Sequence, residues 1–432
     1  MSHHVVGLDV GTKGIKIALV LTPKRGKPLV ASLFTIPSAG LQKGVIVDEG
    51  EACAAIGAAL EEVKKAAKPA MKNIYLNVGG KQTGCQVSKA MVPLPRGDSR
   101  ISEEDMDRVT KAAETMVRTG HNRMVIYTVT REYAVDGIGD IMDPVGLNGA
   151  RLEANCLVID AFSPNVQRLM ACVEKCGGAI SGPIYGPLAA ARAVLSRNQK
   201  DLGVVLIDIG FGTTGVCIYE EQKLLHTAIL PVGAGNITND IALGLKIPVA
   251  EAENLKLSFG YALSKEIPSK EGVPVRQVSG HPELDRGVEV SARGGSAFAG
   301  KVAADKKINV SRRFLSEIIE VRCAEIFELV NEELKRVQRA GQLPAGAVLT
   351  GGGAKLPGLV ELAKRELKLP AQIGIISNEA FEYSDPETGA RVEDPEYVVA
   401  LGLALHGQDE KSKNGALWEG ISMPRFLRYF MP

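Results

Sequence analysis

Two aspartates, each at the end of an apolar run, are the residues of this chain whose surroundings most clearly point to chemistry. The segments VVGLDVGTKGIKIALV (5–20) and VVLIDIGFGTTGVCIY (204–219) both place a glycine two residues after the aspartate, then a turn and a second apolar run. Glycine lets backbone N–H groups approach a phosphate, and carboxylates hold divalent cations. One such hairpin is often only a turn, but two that face each other can grip a polyphosphate. The repeat therefore predicts a polyphosphate site with a cation between Asp9 and Asp208.

A third glycine-rich turn follows much later, in the segment LTGGGA (349–354). It comes directly after a short apolar run that reads as a strand. Glycines in such a turn allow the backbone to pack flat against a base or a sugar. The turn is not specific by itself, but after two phosphate-binding hairpins it predicts a nucleotide site.

The elements around the first hairpin indicate a mixed α/β layer. Alternating Ile15, Ile17 and Leu19 predict the return strand, residues 48–67 read as an amphipathic helix, and residues 73–78 as a strand. The order β-β-β-α-β is that of a ribonuclease-H-like half with a mixed sheet. The second hairpin predicts a second such half, so the expected fold class is α/β with two lobes of duplicated ribonuclease-H-like domains.

Two insertions are expected to interrupt these halves. A βαββ pattern between Gln82 and Ala161 predicts a separate subdomain, and the stretch from 240 to 312 is richer in glycine, serine and charge. Its least regular part, 280–307, is predicted to be a mobile loop. The predicted division is a first core at 1–82 with 163–200, an inserted subdomain at 83–162, a second core at 201–240 with 313–407, a second insertion at 241–312, a linker at 408–420 and a tail at 421–432.

Composition narrows the class of protein. Lys and Arg total 51 against 50 Asp and Glu, so the chain lacks the basic excess that favours nucleic-acid binding. Seven cysteines, including Cys172 and Cys176 at helical spacing, show no CxxC pair, which predicts reduced thiols rather than a metal site or a disulfide framework. No basic, apolar leader precedes Val5, and no stretch approaches ~18 apolar residues. We therefore expect a soluble cytoplasmic body.

In their order and spacing, the hairpins and the TGGGA turn resemble the phosphate-1, phosphate-2 and adenosine motifs of the actin-like ATPase superfamily. The resemblance implies an actin-like fold that binds ATP with Mg²⁺ in the cleft between the lobes, with Asp9 and Asp208 holding the metal through water and positioning the attacking water. Glu253 and Lys256 match the superfamily's AExxK segment, which approaches ribose and base, although a surface ion pair on a helix is the alternative. The implied nucleotide contacts are Gly11, Thr12, Lys13, Lys16, Gly210, Phe211, Gly212, Thr213, Thr214, Gly233, Gly235, Asn236, Glu253, Lys256, Gly351, Gly352, Gly353, Ala354 and Lys355.

Within that superfamily, nearly the whole chain resembles the FtsA family of bacterial cell-division proteins. The segments that carry this resemblance are GLQKGVIVD (40–48), ISEEDMDRV (101–109), REYAVDG (131–137), DPVGLNGARLEA (143–154) and RRFLSEIIEVR (312–322). It implies that the inserted βαββ module is the family's subdomain 1C. It also implies that the protein polymerises with itself on the inner membrane face at the septum, anchors the ring protein FtsZ and recruits later divisome proteins.

The C-terminal sequence SMPRFLRYFMP agrees with a membrane role. In a helix that begins at Pro424, apolar side chains share one face and two arginines lie elsewhere, which is typical of a short basic amphipathic anchor. A tail that packs its apolar side chains on the body is the alternative. The predicted membrane contacts are Arg425, Phe426, Leu427, Arg428, Phe430 and Met431.

Two residues depart from the family pattern DxGGGTTD in the second hairpin. Phe211 replaces the middle glycine, so its side chain must point away from the cleft or tighten it. Gly215 replaces the closing aspartate, a carboxylate that lies near the metal in hydrolytic relatives. The hypothesis is that ATP binds but turns over slowly, and acts mainly as a conformational ligand.

Two other readings share the fold. A small-molecule kinase of the same superfamily would need an acceptor pocket, and the sequence shows no distinctive acceptor motif. A pilus-assembly scaffold like PilM also carries a 1C-like module, but it would not be expected to carry this terminal helix.

Overall fold

The computed structural model describes residues 3–23, 26–94, 100–117, 120–277, 306–376, 380–411 and 421–422. The predicted membrane contacts at 425–431 and most of the predicted loop at 280–307 lie outside these ranges. The chain divides into two compact units. The first unit comprises Met1–Ala234, Ile326–Lys355 and Ala363–Pro432, and the second unit comprises Gly235–Glu325 and Leu356–Leu362.

The strands in chain order are β1 His3–Val10, β2 Gly14–Thr22, β3 Leu29–Pro37, β4 Leu41–Gln42, β5 Val45–Ile46, β6 Ile74–Val78, β7 Gly84–Pro93, β8 Arg123–Val135, β9 Ile138–Ile141, β10 Arg151–Phe162, β11 Ile180–Tyr185, β12 Val204–Ile209, β13 Thr214–Glu220, β14 Lys223–Leu230, β15 Gly272–Gln277, β16 Lys306–Ser311, β17 Ala347–Thr350, β18 Ala371–Ile373, β19 Glu382–Tyr383 and β20 Ile421–Ser422. The α-helices are α1 Glu49–Ala67, α2 Glu103–Met116, α3 Ser163–Lys175, α4 Gly186–Val194, α5 Arg197–Leu202, α6 Ala234–Leu245, α7 Val249–Phe259, α8 Arg312–Arg336, α9 Leu359–Leu367, α10 Pro386–Val392 and α11 Val398–Lys411.

The first unit contains two sheets built on the same plan. One sheet has the order β11-β6-β1-β2-β3-β19, and the other has the order β14-β13-β12-β17-β18. In each, the aspartate-bearing strand pairs antiparallel with its return strand and parallel with a later strand on its other side. These paired mixed sheets confirm the predicted α/β fold of duplicated halves.

Small residues set the packing of helix α11 against the first sheet. A Cβ on Gly7 in β1 would lie 1.9 Å from the carbonyl oxygen of Ala400, and one on Gly402 would lie 2.0 Å from that of Ala189 in α4. Backbones that approach this closely leave no space for a side chain. Helix α11 is therefore held directly on β1 and α4, the two elements whose ends reach the candidate site.

The inserted module is an antiparallel sheet with helix α2 on one face. Its strand order is β20-β8-β10-β7, with β9 paired to β8. Helix α2 begins in a capping box in which Ser102 and Asp105 satisfy each other's backbone N–H groups. The sheet and helix enclose a core of their own around Val109, Leu152 and Cys156. The edge strand β20 places Ile421 opposite Val129.

The second unit contains α7, most of α6, the first part of α8 and the β15–β16 hairpin. Arg322 on α8 donates to the Asp240 carboxylate on α6 at 2.5 and 3.0 Å. This charged pair joins the two helices within the unit. Helix α6 begins at Ala234, inside the predicted second core, and α7 lies within the predicted insertion at 241–312.

One boundary and one bonding state differ from expectation. Helix α11 runs to Lys411, into the tract predicted as linker. Cys53 and Cys172 form a disulfide, so the prediction of reduced thiols is wrong for this pair, because α1 and α3 bring together cysteines far apart in the chain. Over the described ranges, no helix combines the length and the apolar character needed to cross a bilayer.

Candidate functional site

A single pocket in the first unit collects most of the residues of the two hairpins. Among the residues predicted to contact nucleotide or metal, those that line it are Asp9, Gly11, Thr12, Lys13, Lys16, Asp208, Gly210, Phe211, Gly212, Thr213, Gly351 and Gly352. These predicted residues thus supply backbone from three glycine-rich turns, two lysines and two carboxylates. This is the set that a phosphorylated ligand and a cation require.

The carboxylate of Asp9 is held by a neighbour that the sequence reading missed. Asn77 donates its side-chain N–H to Asp9 Oδ1 at 2.6 Å, and Asp9 is only 8% exposed. The two residues meet because β1 and β6 are parallel, with Leu8 opposite Leu76. The only sign of this contact in the local sequence is a single side-chain amide, that of Asn77, near the end of the apolar strand IYLNV. The bond orients the carboxylate toward the pocket.

The carboxylate of Asp208 sits in a less favourable environment. Burial first, and then the charge of Asp9, raise the pKa of Asp208 to about 6, while Lys16 and a hydrogen bond from Thr350 act in the opposite direction. Thr350 Oγ1 lies 3.4 Å from Asp208 Oδ1, since β17 runs parallel to β12. The positive charge near Asp208 is therefore too small to offset the effects of its burial and of the Asp9 carboxylate.

That imbalance is what a bound cation would relieve. The oxygen donors on the two hairpins include the Asp9 and Asp208 carboxylates and the Thr12 hydroxyl. Hard oxygen donors suit Mg²⁺, which usually keeps several waters and binds through one or two carboxylates and phosphate oxygens. The residues present therefore fit a Mg²⁺ held through water between the two aspartates.

The two hairpins meet at close range. A Cβ on Gly212 would lie 2.7 Å from Thr12 Oγ1 and 3.1 Å from the Cα of Lys43. Thr12 Oγ1 also accepts a hydrogen bond from the N–H of Gly44 at 3.3 Å. A side chain at Gly212 would push the hairpins apart, so glycine is required there for close approach.

The two departures from the family pattern both lie at the pocket. Phe211 lines it, and the ammonium group of Lys13 lies 5.6 Å from the centre of the Phe211 ring, within cation–π range. The sequence left open whether Phe211 points away or tightens the site, and the structure places it on the wall. Gly215 faces Pro187, where a Cβ would lie 2.9 Å from the proline ring.

The glycine-rich turn after β17 packs on the second aspartate. Gly351 has a φ of +81°, and a Cβ there would lie 2.5 Å from Asp208 Oδ1. Gly353 and Ala354 are buried, with Gly353 against Ile209. Lys355 pairs with Asp394 at 2.7 Å, outside the pocket lining.

Other predicted contacts are placed behind the pocket or in the second unit. Thr214 is buried and donates to the carbonyl of Val232, and Gly233 packs on the phosphate-2 turn, where a Cβ would lie 2.6 Å from the carbonyl oxygen of Gly210. Both shape the turn from behind. Gly235 and Asn236 belong to the second unit.

Glu253 and Lys256 are an ion pair on α7 of the second unit. Their charged groups lie 2.7 Å apart, and the Lys256 side chain is only 7% exposed. Thr238 on α6 is within hydrogen-bonding distance of both. The pair is therefore not the exposed surface pair that was the alternative, and its contact with ribose and base stays a prediction.

Glu396 is the second pocket residue that the sequence did not indicate. It precedes α11 and lies 3.5 Å from Lys16 and 3.6 Å from Lys355. No local motif marks it, because its position depends on how α11 packs on β1. Lys16 thus stands among three carboxylates, those of Glu396, Asp9 and Asp208.

Comparisons with known proteins agree with this architecture. Residues 205–402 match the family model described as "Cell division protein FtsA", and residues 80–160 match "SHS2 domain inserted in FTSA". FtsA of Pseudomonas aeruginosa is 31% identical over 97% of this chain and 91% of its own length. Among solved structures, the PilM-PilN type IV pilus biogenesis complex covers 93% of this chain and 98% of its own at 17% identity and a TM-score of 0.63. The structure of MreB 5 of Spiroplasma citri bound to AMPPNP covers 95% of this chain and 97% of its own, at 13% identity and a TM-score of 0.53.

The fold and the paired hairpins define a protein of the actin-like ATPase class. At this level of sequence identity across almost the whole chain, the particular family is also clear. The chain belongs to the FtsA family of cell-division proteins.

Proposed function

We propose that this chain binds ATP with Mg²⁺, polymerises on the membrane and anchors FtsZ at the division site. The observation that carries the proposal is the pocket in which Asp9 and Asp208 face each other from two hairpins, in a member of the FtsA family. Lys13 and Lys16 supply positive charge for phosphate groups. The AMPPNP named for the MreB 5 structure supports a nucleotide as the ligand of this fold.

The nucleotide acts mainly as a ligand that favours one conformation and the polymer. Within the described residues the pocket offers the carboxylates of Asp9, Asp208 and Glu396, and Gly215 supplies none. Phe211 occupies the wall where a glycine would leave the backbone open. Phosphate release under saturating Mg-ATP should therefore be slow, and a turnover near the ~10 s⁻¹ of a typical enzyme would contradict this part of the proposal.

The membrane contact rests on the sequence of the tail, 423–432, which lies outside the described residues. A short segment buries little apolar surface, so a single copy binds weakly and reversibly. A polymer presents many copies and gains avidity without any new contact. Polymerisation and membrane attachment are thereby coupled, and the attached polymer serves as a platform for FtsZ and for later divisome proteins.

The test is sedimentation with liposomes that contain phosphatidylglycerol, with and without Mg-ATP. Full-length protein should pellet with the liposomes, more strongly with Mg-ATP, and protein lacking 423–432 should stay in the supernatant. Leu427→Glu should behave like the deletion, and Leu427→Ile should behave like the full chain. Tail-independent binding, or no binding of the full chain, would contradict the anchor.

FtsZ added to the same assay tests the adaptor role. FtsZ should enter the pellet only with liposomes and the full-length protein together. If FtsZ stays in the supernatant while the protein itself pellets, the membrane anchor stands and the FtsZ link is wrong.

A further inference from the structure

Three cysteines on two neighbouring helices form a group that the nucleotide pocket does not use. Cys53 lies on α1, Cys172 lies on α3, and Cys176 follows one turn later at the end of α3. Cys53 and Cys172 are bonded, and their Cα atoms are 5.0 Å apart, within the usual range of about 4.4–6.8 Å. Cys176 donates its S–H to the carbonyl oxygen of Cys53 at 3.4 Å. We call these three residues the sulfur cluster.

Helix packing holds the two bonded sulfurs near each other. Lys175 on α3 pairs with Glu49 on α1 at 2.6 Å, which ties the helices together beside the sulfur cluster. Both helices also bury apolar faces in the core that contains the first sheet. Two thiols held at this distance close a disulfide without moving the backbone.

The members of the sulfur cluster differ in access. Cys172 has no exposed surface, whereas Cys53 is part-buried and can be reached by a small molecule. Cys176 is also part-buried, and burial raises the pKa of its thiol.

We propose that Cys53 and Cys172 are a redox site that exchanges with small disulfides such as oxidised glutathione. The thiolate of Cys53 attacks one sulfur of oxidised glutathione, forms a mixed disulfide and releases one glutathione thiolate. The thiolate of Cys172 then attacks the sulfur of Cys53 and releases the second glutathione. Each cysteine loses one proton, the protein dithiol is oxidised by two electrons, and oxidised glutathione is reduced to two molecules of glutathione.

The site is connected to one wall of the nucleotide pocket. Leu169, one turn before Cys172, lines that pocket. Asn165 at the start of α3 accepts from the N–H of Ile46 at 3.2 Å and donates to the carbonyl of Gly44 at 3.3 Å, and Gly44 in turn contacts the phosphate-1 turn. Oxidation covalently joins α1 to α3, the helix that carries Leu169 on this wall, so it should slow the release of a bound nucleotide. This consequence rests on the proposed function, whereas the bond chemistry does not.

The experiment equilibrates the full-length protein in glutathione buffers of different ratio, quenches with acid, alkylates the free thiols and identifies cysteine pairs by mass spectrometry. Oxidising buffers should yield a peptide that links Cys53 to Cys172 and a protein with two fewer alkylated cysteines. Cys172→Ser should retain glutathione on Cys53, because the second step is missing. Cys85→Ser, which removes a part-buried thiol elsewhere, should behave as the natural chain. Oxidation should raise the melting temperature of the natural chain and not that of Cys53→Ser.

Three results would overturn the proposal. The first is alkylation of both Cys53 and Cys172 at every glutathione ratio, and the second is a linked peptide that joins Cys53 to Cys176. The third is binding of one equivalent of Zn²⁺ by the reduced protein, with loss of that Zn²⁺ in Cys53→Ser and in Cys172→Ser. Such binding would indicate a metal site, since a Glu49 carboxylate oxygen and the sulfurs of Cys53 and Cys172 all lie within 4.8 Å of one another. The linked peptide is expected to form without ATP. Failure of the redox proposal is therefore distinguishable from failure of the proposed nucleotide binding.

Discussion

Replacing Asp208 by asparagine should make the nucleotide-free protein more stable at neutral and alkaline pH. Burial and the charge of Asp9 raise the pKa of Asp208 from 3.8 to about 6. Because the folded-state pKa is the higher one, the folded protein holds this proton more tightly than the unfolded chain. The charged carboxylate therefore destabilises the fold above pH 6, and this destabilisation is relieved as the pH falls through 6 toward 3.8.

The magnitude follows from the size of the pKa shift. A rise of roughly 2 units at about 1.36 kcal/mol per unit corresponds to about 3 kcal/mol. This is an upper bound, because Asp208 is part-exposed on the pocket wall and solvent screens its charge. Asp208→Asn should therefore gain up to about 3 kcal/mol in free energy of unfolding at pH 8, and almost nothing at pH 4.

Thermal unfolding followed by circular dichroism without nucleotide, from pH 4.5 to 8, measures this difference. Asp201→Asn on helix α5 removes an exposed carboxylate and serves as the control, with a melting temperature close to that of the natural chain at every pH. The reasoning is refuted if Asp208→Asn melts no higher than the natural chain at pH 8, or if its gain is the same at pH 4.5. Adding Mg-ATP should reverse the order, because the natural chain gains the cation.

Three further substitutions address the positions of single residues. Gly233→Ala should weaken binding of a fluorescent ATP analogue roughly five- to a hundredfold and lower the melting temperature, since its Cβ would meet the carbonyl oxygen of Gly210 at 2.6 Å and overpacking costs about 1–3 kcal/mol. Gly139→Ala, whose Cβ meets nothing within 4 Å, should do neither. Asn77→Ala removes the hydrogen bond to Asp9, and a hydrogen bond to a charged group contributes about 1.5–3 kcal/mol. The substitution should therefore weaken Mg-dependent ATP binding by roughly ten- to a hundredfold. Equal affinity of the variant and the natural chain in titrations with Mg²⁺ would contradict this expectation. Lys256→Met removes the ammonium group that pairs with the part-buried Glu253 carboxylate and should cost about 3 kcal/mol in free energy of unfolding. An unchanged midpoint in urea unfolding would contradict this expectation.

The site could be predicted from the sequence wherever its function is carried by a local pattern. Asp9 and Asp208 are each followed by a glycine and a return strand, and the structure places both in the same pocket. The pattern is readable because the close approach of backbone to phosphate demands glycine at set positions in one turn. The helix predicted over 48–67 is observed at Glu49–Ala67, because its apolar residues recur with the period of a helix. Asp48 lies just before it as the N-cap.

The parts that were missed depend on contacts between distant segments. Asn77 and Glu396 join the pocket through a parallel strand and through the packing of α11, and neither relation leaves a local signature. The second unit shows the same limit, because α6 is joined to the distant helix α8 by the Arg322–Asp240 pair.

The duplicated α/β halves, the two acidic hairpins and the family could all be predicted from the sequence, because backbone chemistry and side-chain periodicity act over a few residues. In contrast, tertiary packing puts Phe211 on the pocket wall and brings Cys53 to Cys172, 119 residues further along the chain. Such pairings are selected by how the layers pack. That packing is a property of the whole core rather than of any single segment.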